Sequence, residues 1–510
     1  MFKCKQLLRR ICVVSYVFLL CGGLVNASNL VSKTNTLIGT QGNGWASGYL
    51  YPGATYPFGM VQFTPTYFTK QLGFVINQLS GAGCDHMGNF PTLPIAGALR
   101  VSPDSILNMQ TPVGKEIGTA GYYAATVDHS IRAELTVTER TGMARYTFSS
   151  KEKQGTVIIG GGVAATPIQV AAIKITGPHS CEGYAEGGAF CGIPTPYKVY
   201  FVAEFDADAE SFGTWKEERL HANHTFAEGS HSGVYFTFPL KEGNQAVQYK
   251  IGVSYVSVEN ARENLRVENP AWDFSAVRQA TQDKWNEYLG KIEVEGDNED
   301  RQMQFYTHLY RSLIHPNVCS DVNGEYMGAD SQVHKTARKF YTSFSNWDTY
   351  RTQTALIAML APEETSDIVM SHYLFAEQSG GGFPRWVLAN IETGVMQGDP
   401  TPILVANAYA FGARTYDPRT LLRTMRYGAE VPGANSQGVL TRPGLEQYLE
   451  KGYYDASILL EYTSSDFAIG RFALQACNDE PVCNWYTQRA MNWKNLFNKE
   501  TGWLLSLIHI

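Results

Sequence analysis

Asn269-Pro-Ala-Trp-Asp-Phe-Ser-Ala-Val-Arg278, running on through Trp285 and Leu289 to Lys291-Ile-Glu-Val-Glu295, is where this chain changes character. Upstream, short runs alternate apolar and polar residues or are rich in β-branched and aromatic ones. They fall at 133–148, Thr156-Val-Ile-Ile159, Lys198-Val-Tyr-Phe-Val-Ala-Glu204, Val234-Tyr-Phe-Thr-Phe238 and 249–258. Glycine, proline and Asp/Asn clusters separate them, the signature of a large sandwich. After the Asn-Pro pair, residues 272–289 take helical spacing, 291–295 alternate as a last strand, and the chain from Asn298 onward is helical.

Helices then recur with short connections, at 301–315, 347–360, 362–378, 402–413, 418–427, 445–451, 457–476 and 484–498. Several are apolar on more than one face, as layered helices are. The pattern predicts an α/α toroid. A closed ring of that kind needs about twelve helices, more than roughly 200 residues, so the ring is expected to be incomplete. The expected order is a signal peptide over 1–27, a β-sandwich over 28–270, a linker helix and strand over 271–298 and a partial toroid over 299–504. The last residues, 505–510, do not continue the pattern and read as a spurious tail.

At 510 residues the chain is too long for one ordinary domain. Net charge is −7, with no basic run after the first ten residues, which argues against nucleic acid as a partner. Lys3, Lys5, Arg9 and Arg10 precede an apolar run from Ile11 to Val25 that is short for a membrane span, and Val25-Asn26-Ala27 fits a cleavage site. Export is therefore expected, with no spanning segment in the mature chain. A lipidated Cys21 is the weaker alternative, because Leu20 is a poor residue before it. Beyond the signal, Cys84, Cys181, Cys191, Cys319, Cys477 and Cys483 remain. Cys477 and Cys483 flank a short polar stretch and are the first disulfide candidates. Cys181 and Cys191 could close another across a glycine-rich loop, or Phe190 and Cys191 could face a ligand. Cys84 ends another tight loop, Leu79-Ser-Gly-Ala-Gly-Cys84, and could be plain core. No spacing resembles a zinc site.

The most chemically loaded stretch follows Gly380-Gly-Gly382, which should break the preceding helix. It is Phe383-Pro-Arg-Trp-Val-Leu-Ala-Asn-Ile-Glu-Thr393, running to Gly398-Asp399-Pro400. Trp386 offers a flat apolar face, Arg385 and Asn390 offer hydrogen bonds, and Glu392 can carry a proton. That mix suits a sugar ring. A carboxyl desolvated beside Trp386 would stay protonated to meet a leaving oxygen; a solvated loop glutamate is the plain alternative. Asp399 could instead support the loop. In Ser345-Asn-Trp-Asp-Thr-Tyr-Arg351, Ser345 with Asp348 fits a capping box, and Asp348 with Arg351 a surface pair. The functional alternative has Trp347 and Asp348 projecting into a sugar site. Gly39-Thr-Gln-Gly-Asn-Gly44 is not a dinucleotide fingerprint, and His315 beside Pro316 reads as structural.

At these residues the chain resembles family 92 of the glycoside hydrolases, the calcium-dependent exo-acting α-mannosidases. The segments that carry the likeness are 37–40, 51–60, 79–84, Phe190-Cys-Gly192, Ser254-Tyr-Val-Ser-Val-Glu-Asn-Ala-Arg262, 305–321, 344–351 and 383–400. The resemblance implies a β-sandwich on an (α/α)6 toroid, with the site between them, and inverting hydrolysis of terminal α-mannosides on glycans of N-glycan or mannan type. It implies Glu392 as general acid, and Trp347, Asp348, Arg385, Asn390, Phe190 and Cys191 as groups around the sugar. It also implies a calcium ion on sugar hydroxyls. The family's base aspartates and most of its calcium segment are expected beyond residue 510, so this chain is expected to be inactive alone. A secreted glycan-binding protein without catalysis is the alternative from another class.

Overall fold

The computed structural model describes residues 29–40, 48–65, 73–104, 113–242 and 245–505. The signal segment, the Gly42-Asn43-Gly44 turn and residues 506–510 of the tail lie outside them. Two antiparallel sheets form the first half. One holds eight strands, among them Thr92–Ala96, Gln154–Gly160 and Ser232–Pro239 at its centre. The other holds nine, with Ser180–Phe190, Ile193–Phe205, Ala246–Ser254 and Thr141–Thr147 in sequence across its middle. The inner faces share one core of Val, Ile, Phe and Tyr side chains, including the fully buried Tyr123, Tyr146, Tyr249 and Trp215. That core does not stop at the sandwich. Cys319, Tyr326, Phe340, Trp386 and Leu388 of the helical half belong to it.

The second half is helical, in the manner of an α/α toroid. Pro362–Gln378 begins with proline at its first helical position, where the missing N–H costs nothing. Leu445–Lys451 lies between Gly444 and Gly452, both at positive φ (71° and 70°). Ala456–Cys477, the longest of the described helices, packs against Thr401–Phe411 and Glu480–Arg489.

Several elements differ from expectation for identifiable reasons. The run at 133–148 is a hairpin of Ile131–Val137 and Thr141–Thr147, whose tight turn closes with Thr138 N–H on Thr141 O at 2.9 Å. The strand expected at 249–258 ends at Ser254. Ser257 then caps a helix, Val258–Glu268, accepting from Asn260 N at 3.1 Å. Lys291 to Glu295 is not a strand: Ile292 and Val294 pack on the helical core, and the Val294 N–H goes to Tyr306 OH, with no partner ladder. The helix expected at 347–360 is broken into Asn346–Thr349 and Gln353–Leu360, and that at 484–498 begins earlier, at Glu480–Arg489, and tightens into a 3-10 turn at Ala490–Leu496.

The cysteines pair otherwise than expected. Cys84 bonds Cys191, while Cys181, Cys319, Cys477 and Cys483 are buried thiols. Cys181 and Cys191 stand at opposite ends of the Ser180–Phe190 strand, roughly 30 Å apart at strand rise and far beyond bridging distance. Cys483 turns along its own helix toward Thr487 Oγ1, 3.8 Å away.

Polar knots fasten the two halves. Asp321 accepts from Ser254 Oγ (2.7 Å), Asn260 Nδ2 (2.8 Å) and Asn264 Nδ2 (2.7 Å). Arg140, at the hairpin turn, reaches Glu139 (2.5 Å) and Glu268 (2.6 Å), and its Nε–H donates to Ser320 O at 2.7 Å. Lys339 of the helical half closes on Glu139.

Candidate active site

The glycine run ends the Pro362–Gln378 helix as its composition demands. Gly380 and Gly381 take φ of 111° and 86°, and a Cβ on Gly382 would stand 2.2 Å from Thr441 Oγ1. The chain then forms a small three-stranded sheet. Trp386–Leu388 and Ile391–Glu392 make a hairpin around Ala389-Asn390, and Phe344–Ser345 adds to its other side, with Ser345 opposite Trp386 and Val387 opposite Glu392. The sheet thereby brings the two segments singled out in the sequence, 344–351 and 383–400, side by side. The third, Phe190-Cys191, arrives from the sandwich: the Phe190 ring stacks on Trp386 with centroids 4.2 Å apart and planes 25° apart.

Glu392 is 7% exposed. Its Oε2 accepts from Arg385 N (2.6 Å), and its Oε1 from Trp386 N (3.2 Å) and Gly394 N (2.9 Å). Burial raises the carboxyl above its ordinary range, against those N–H bonds and the Arg385 charge, which lower it. A narrow cleft beside it is lined by Arg385, Gly398, Asp399, Ser436 and Thr441.

The other expected residues divide. Trp386 is 4% exposed, its face covered by Phe190. Arg385 donates to main-chain carbonyls throughout: Nε to Gly398 O (3.1 Å), Nη1 to Met396 O (2.9 Å) and Gly394 O (3.4 Å), Nη2 to Leu440 O (3.0 Å). It holds the loop after Glu392 in place. Asn390 is buried, its Nδ2 on Gly328 O at 3.2 Å. Cys191 is tied into the disulfide. Asp348 is exposed and Trp347 half-buried. The capping box takes another form: Ser345 Oγ donates to the Asp348 carboxylate, and makes no bond to the helix main chain. Arg351 pairs with Glu461 (3.4 Å) rather than Asp348. Asp399 supports the loop, accepting from Arg442 Nε at 2.9 Å. His315 is structural, accepting from Ser80 N at 2.9 Å, with burial lowering its pKa to about 4.

Sequence reading passed over two groups here. Glu461, on the first turns of Ala456–Cys477, accepts the Trp347 indole N–H (3.1 Å) and the Tyr350 hydroxyl (3.4 Å). The Arg351 guanidinium lies 4.6 Å from the Trp347 ring centre and 4.7 Å from that of Tyr350. Gly398, at φ 80°, brings the main chain so close that a Cβ there would stand 2.5 Å from Glu461 Cβ. That glycine is the one signal in the sequence, and it does not name its partner. Gln437 is the second: its Oε1 accepts the Glu392 N–H (2.7 Å) and its Nε2 donates to Asn390 O (2.9 Å).

Calcium takes six to eight oxygen ligands, several of them carboxylate. Among the described residues no three His, Cys, Asp or Glu side chains converge. The described residues do not by themselves fit a calcium cage.

Two family domains match this chain in order: the glycosyl hydrolase family 92 N-terminal domain over 34–254 and the family 92 catalytic domain over 260–506. An uncharacterized secreted glycosidase of Arthroderma benhamiae is 25% identical over 92% of the chain, which spans 63% of that protein's length. Among solved structures, a family 92 alpha-mannosidase of Bacteroides thetaiotaomicron superposes with TM-score 0.85 at 24% identity, covering 94% of this chain and 67% of that one. A family 92 inverting mannosidase of the same species gives TM-score 0.81 at 24% identity, over 94% and 66%. These likenesses establish the fold, and the two domain matches establish the family: the chain belongs to glycosyl hydrolase family 92.

Proposed function

We propose that this protein is an exported α-mannosidase, releasing mannose from terminal α-mannosides of glycans with inversion. The observation that carries this is Glu392: a carboxyl buried beside Trp386 in a narrow cleft, with its pKa raised by desolvation. Glu392 gives its proton to the glycosidic oxygen as the bond from that oxygen to the anomeric carbon breaks. Water adds to the opposite face of that carbon and gives its own proton to a base. An inverting pair of carboxyls stands roughly 6.5–9.5 Å apart; we assign no base among the described residues. Trp347, half-buried, and Asp348, exposed, line the approach to the sugar. Export agrees with the name of the secreted relative, and no helix among the described residues is long and apolar enough to cross a membrane.

The test is Glu392→Gln in the complete protein. Turnover of natural mannosides, whose leaving groups need a proton, should fall by about 10²–10⁴-fold, and turnover of activated aryl mannosides far less. Equal losses on both would remove Glu392 from the acid role. A calcium requirement belongs to the same reading: chelation should abolish mannose release, and added calcium should restore it.

One observation favours a second reading, glycan capture without hydrolysis. Both Glu392 oxygens accept main-chain N–H bonds, an arrangement that favours the ionised form. Mannoside binding with no mannose released over a long incubation would support that reading.

A further inference from the structure

We propose that the Cys84–Cys191 disulfide is a positioning device for the catalytic hairpin: it holds Phe190 against Trp386, and through Trp386 fixes the surroundings of Glu392. The inference deepens the mannosidase reading and rests on it for its kinetic consequences.

The path is short and continuous. Cys191 and Gly192 form the two-residue turn between the paired residues Phe190 and Ile193, with φ of 51° and 80°. Such a turn favours Asn or Gly at its first position; a cysteine there sits in a backbone region that disfavours it. Its sulfur is bonded to Cys84, 107 residues earlier in sequence, with the α-carbons 5.1 Å apart. The neighbouring Phe190 ring has the edge of His86 at 6.0 Å and the face of Trp386 at 4.2 Å. The Trp386 main-chain N–H in turn bonds Glu392 Oε1 at 3.2 Å.

Without the bridge this tip would be weakly held. The strand pair shifts register between Gly187 and Ala189, with Gly187 and Gly188 at φ 144° and 119°. Past the shift, Ala189 faces Pro194, which has no N–H to give to the ladder. The Cys84 loop, by contrast, is braced: His86 accepts from Leu79 N at 2.8 Å, and its Nδ1 meets Cys84 O at 2.6 Å. The disulfide therefore transfers the order of one loop to the tip of another.

Among the described cysteines, the bridge is also the pair open to thiol chemistry. Cys191 is exposed and Cys84 half-buried, while Cys181, Cys319, Cys477 and Cys483 are buried. A dithiol reagent would pass two electrons and two protons to the sulfurs of Cys84 and Cys191 and close on itself as a cyclic disulfide.

The experiment compares the complete protein before and after mild dithiol treatment, with alkylation and mass spectrometry to confirm that Cys84 and Cys191 alone become labelled. Reduction should raise KM for an aryl α-mannoside, and the Kd of mannoimidazole, by roughly tenfold, as a displaced wall would. It should also move the alkaline limb of kcat/KM to lower pH, because water reaching Glu392 relieves its desolvation. The double variant Cys84→Ser/Cys191→Ser should reproduce both effects and ignore the dithiol. An unchanged KM and pH profile after complete reduction would overturn the proposal and leave the bridge a plain structural crosslink. Should the oxidised protein neither bind mannoimidazole nor cleave mannosides, the mannosidase reading itself fails. The ring contact is then read directly from tryptophan fluorescence. A change on reduction that disappears in Trp386→Phe upholds the positioning role, and no change on reduction removes it.

Discussion

At Glu392 two forces oppose each other: burial favours the neutral acid, and three main-chain N–H groups favour the anion, with burial prevailing. A carboxyl whose folded pKa is raised binds more protons folded than unfolded in the window between its ordinary and raised values. Stability from this group therefore falls as pH rises through that window, and is unpenalised below the ordinary value. Relative to the parent, Glu392→Gln should accordingly gain most stability above the raised pKa, with the gap narrowing toward the ordinary carboxyl range; thermal melts across pH 4 to 8 check this. A gap that widens on acidification would contradict the raised pKa. Glu461 makes a different prediction. Glu461→Ala strands the Trp347 indole N–H and the Tyr350 hydroxyl, and should cost about 1–2 kcal/mol. Glu461→Gln keeps an acceptor for the indole and should recover most of it in denaturant melts.

A buried charge cluster ties several helices of the second half together. Asp466, in the middle of Ala456–Cys477, accepts from Arg442 (2.7 Å), Arg489 (2.5 Å) and the Tyr448 hydroxyl (2.6 Å), while Arg442 also holds Asp399 at the end of the Glu392 loop. Burial alone would raise the Asp466 carboxyl, yet the two guanidinium groups keep it below its usual range. The Arg442 side chain is wholly buried. Removing one partner leaves an uncompensated buried charge, so Asp466→Ala should cost about 3–5 kcal/mol, read as a lower denaturant midpoint at neutral pH. The loss should shrink in acid, where the parent's own Asp466 is protonated and its contribution is already gone. A neutral variant would mean that the cluster contributes specificity rather than stability.

Across the whole molecule, sandwich and helices share a core, and buried polar groups are set into the joint. Arg140, 6% exposed, bonds groups on three segments: its own hairpin turn, the end of Val258–Glu268 and the Ser320 carbonyl. Arg140→Ala should therefore loosen the joint more than either half. Calorimetry should show the parent's single transition splitting in two, with a loss of about 3–5 kcal/mol at the joint. A single transition shifted as one would show that the shared core couples the halves without the arginine.

What the sequence determined by itself was what neighbours along the chain decide: proline opening Pro362–Gln378, glycines bounding Leu445–Lys451, the change from alternating to helical spacing, and the helix break before Glu392. The glycine run put Glu392 and its neighbours on one short connection and the family likeness gave them roles, but neither could say which of their faces were already occupied. Arg385 serves carbonyls of its own loop, and Trp386 lies under Phe190. Only the tertiary structure decided the partners: Cys191 with Cys84 across 107 residues, and Glu461 with Trp347 across 114. Local spacing carries no signal for such pairs, because sheet order and helix docking bring them together and the solvent excluded there makes each contact count.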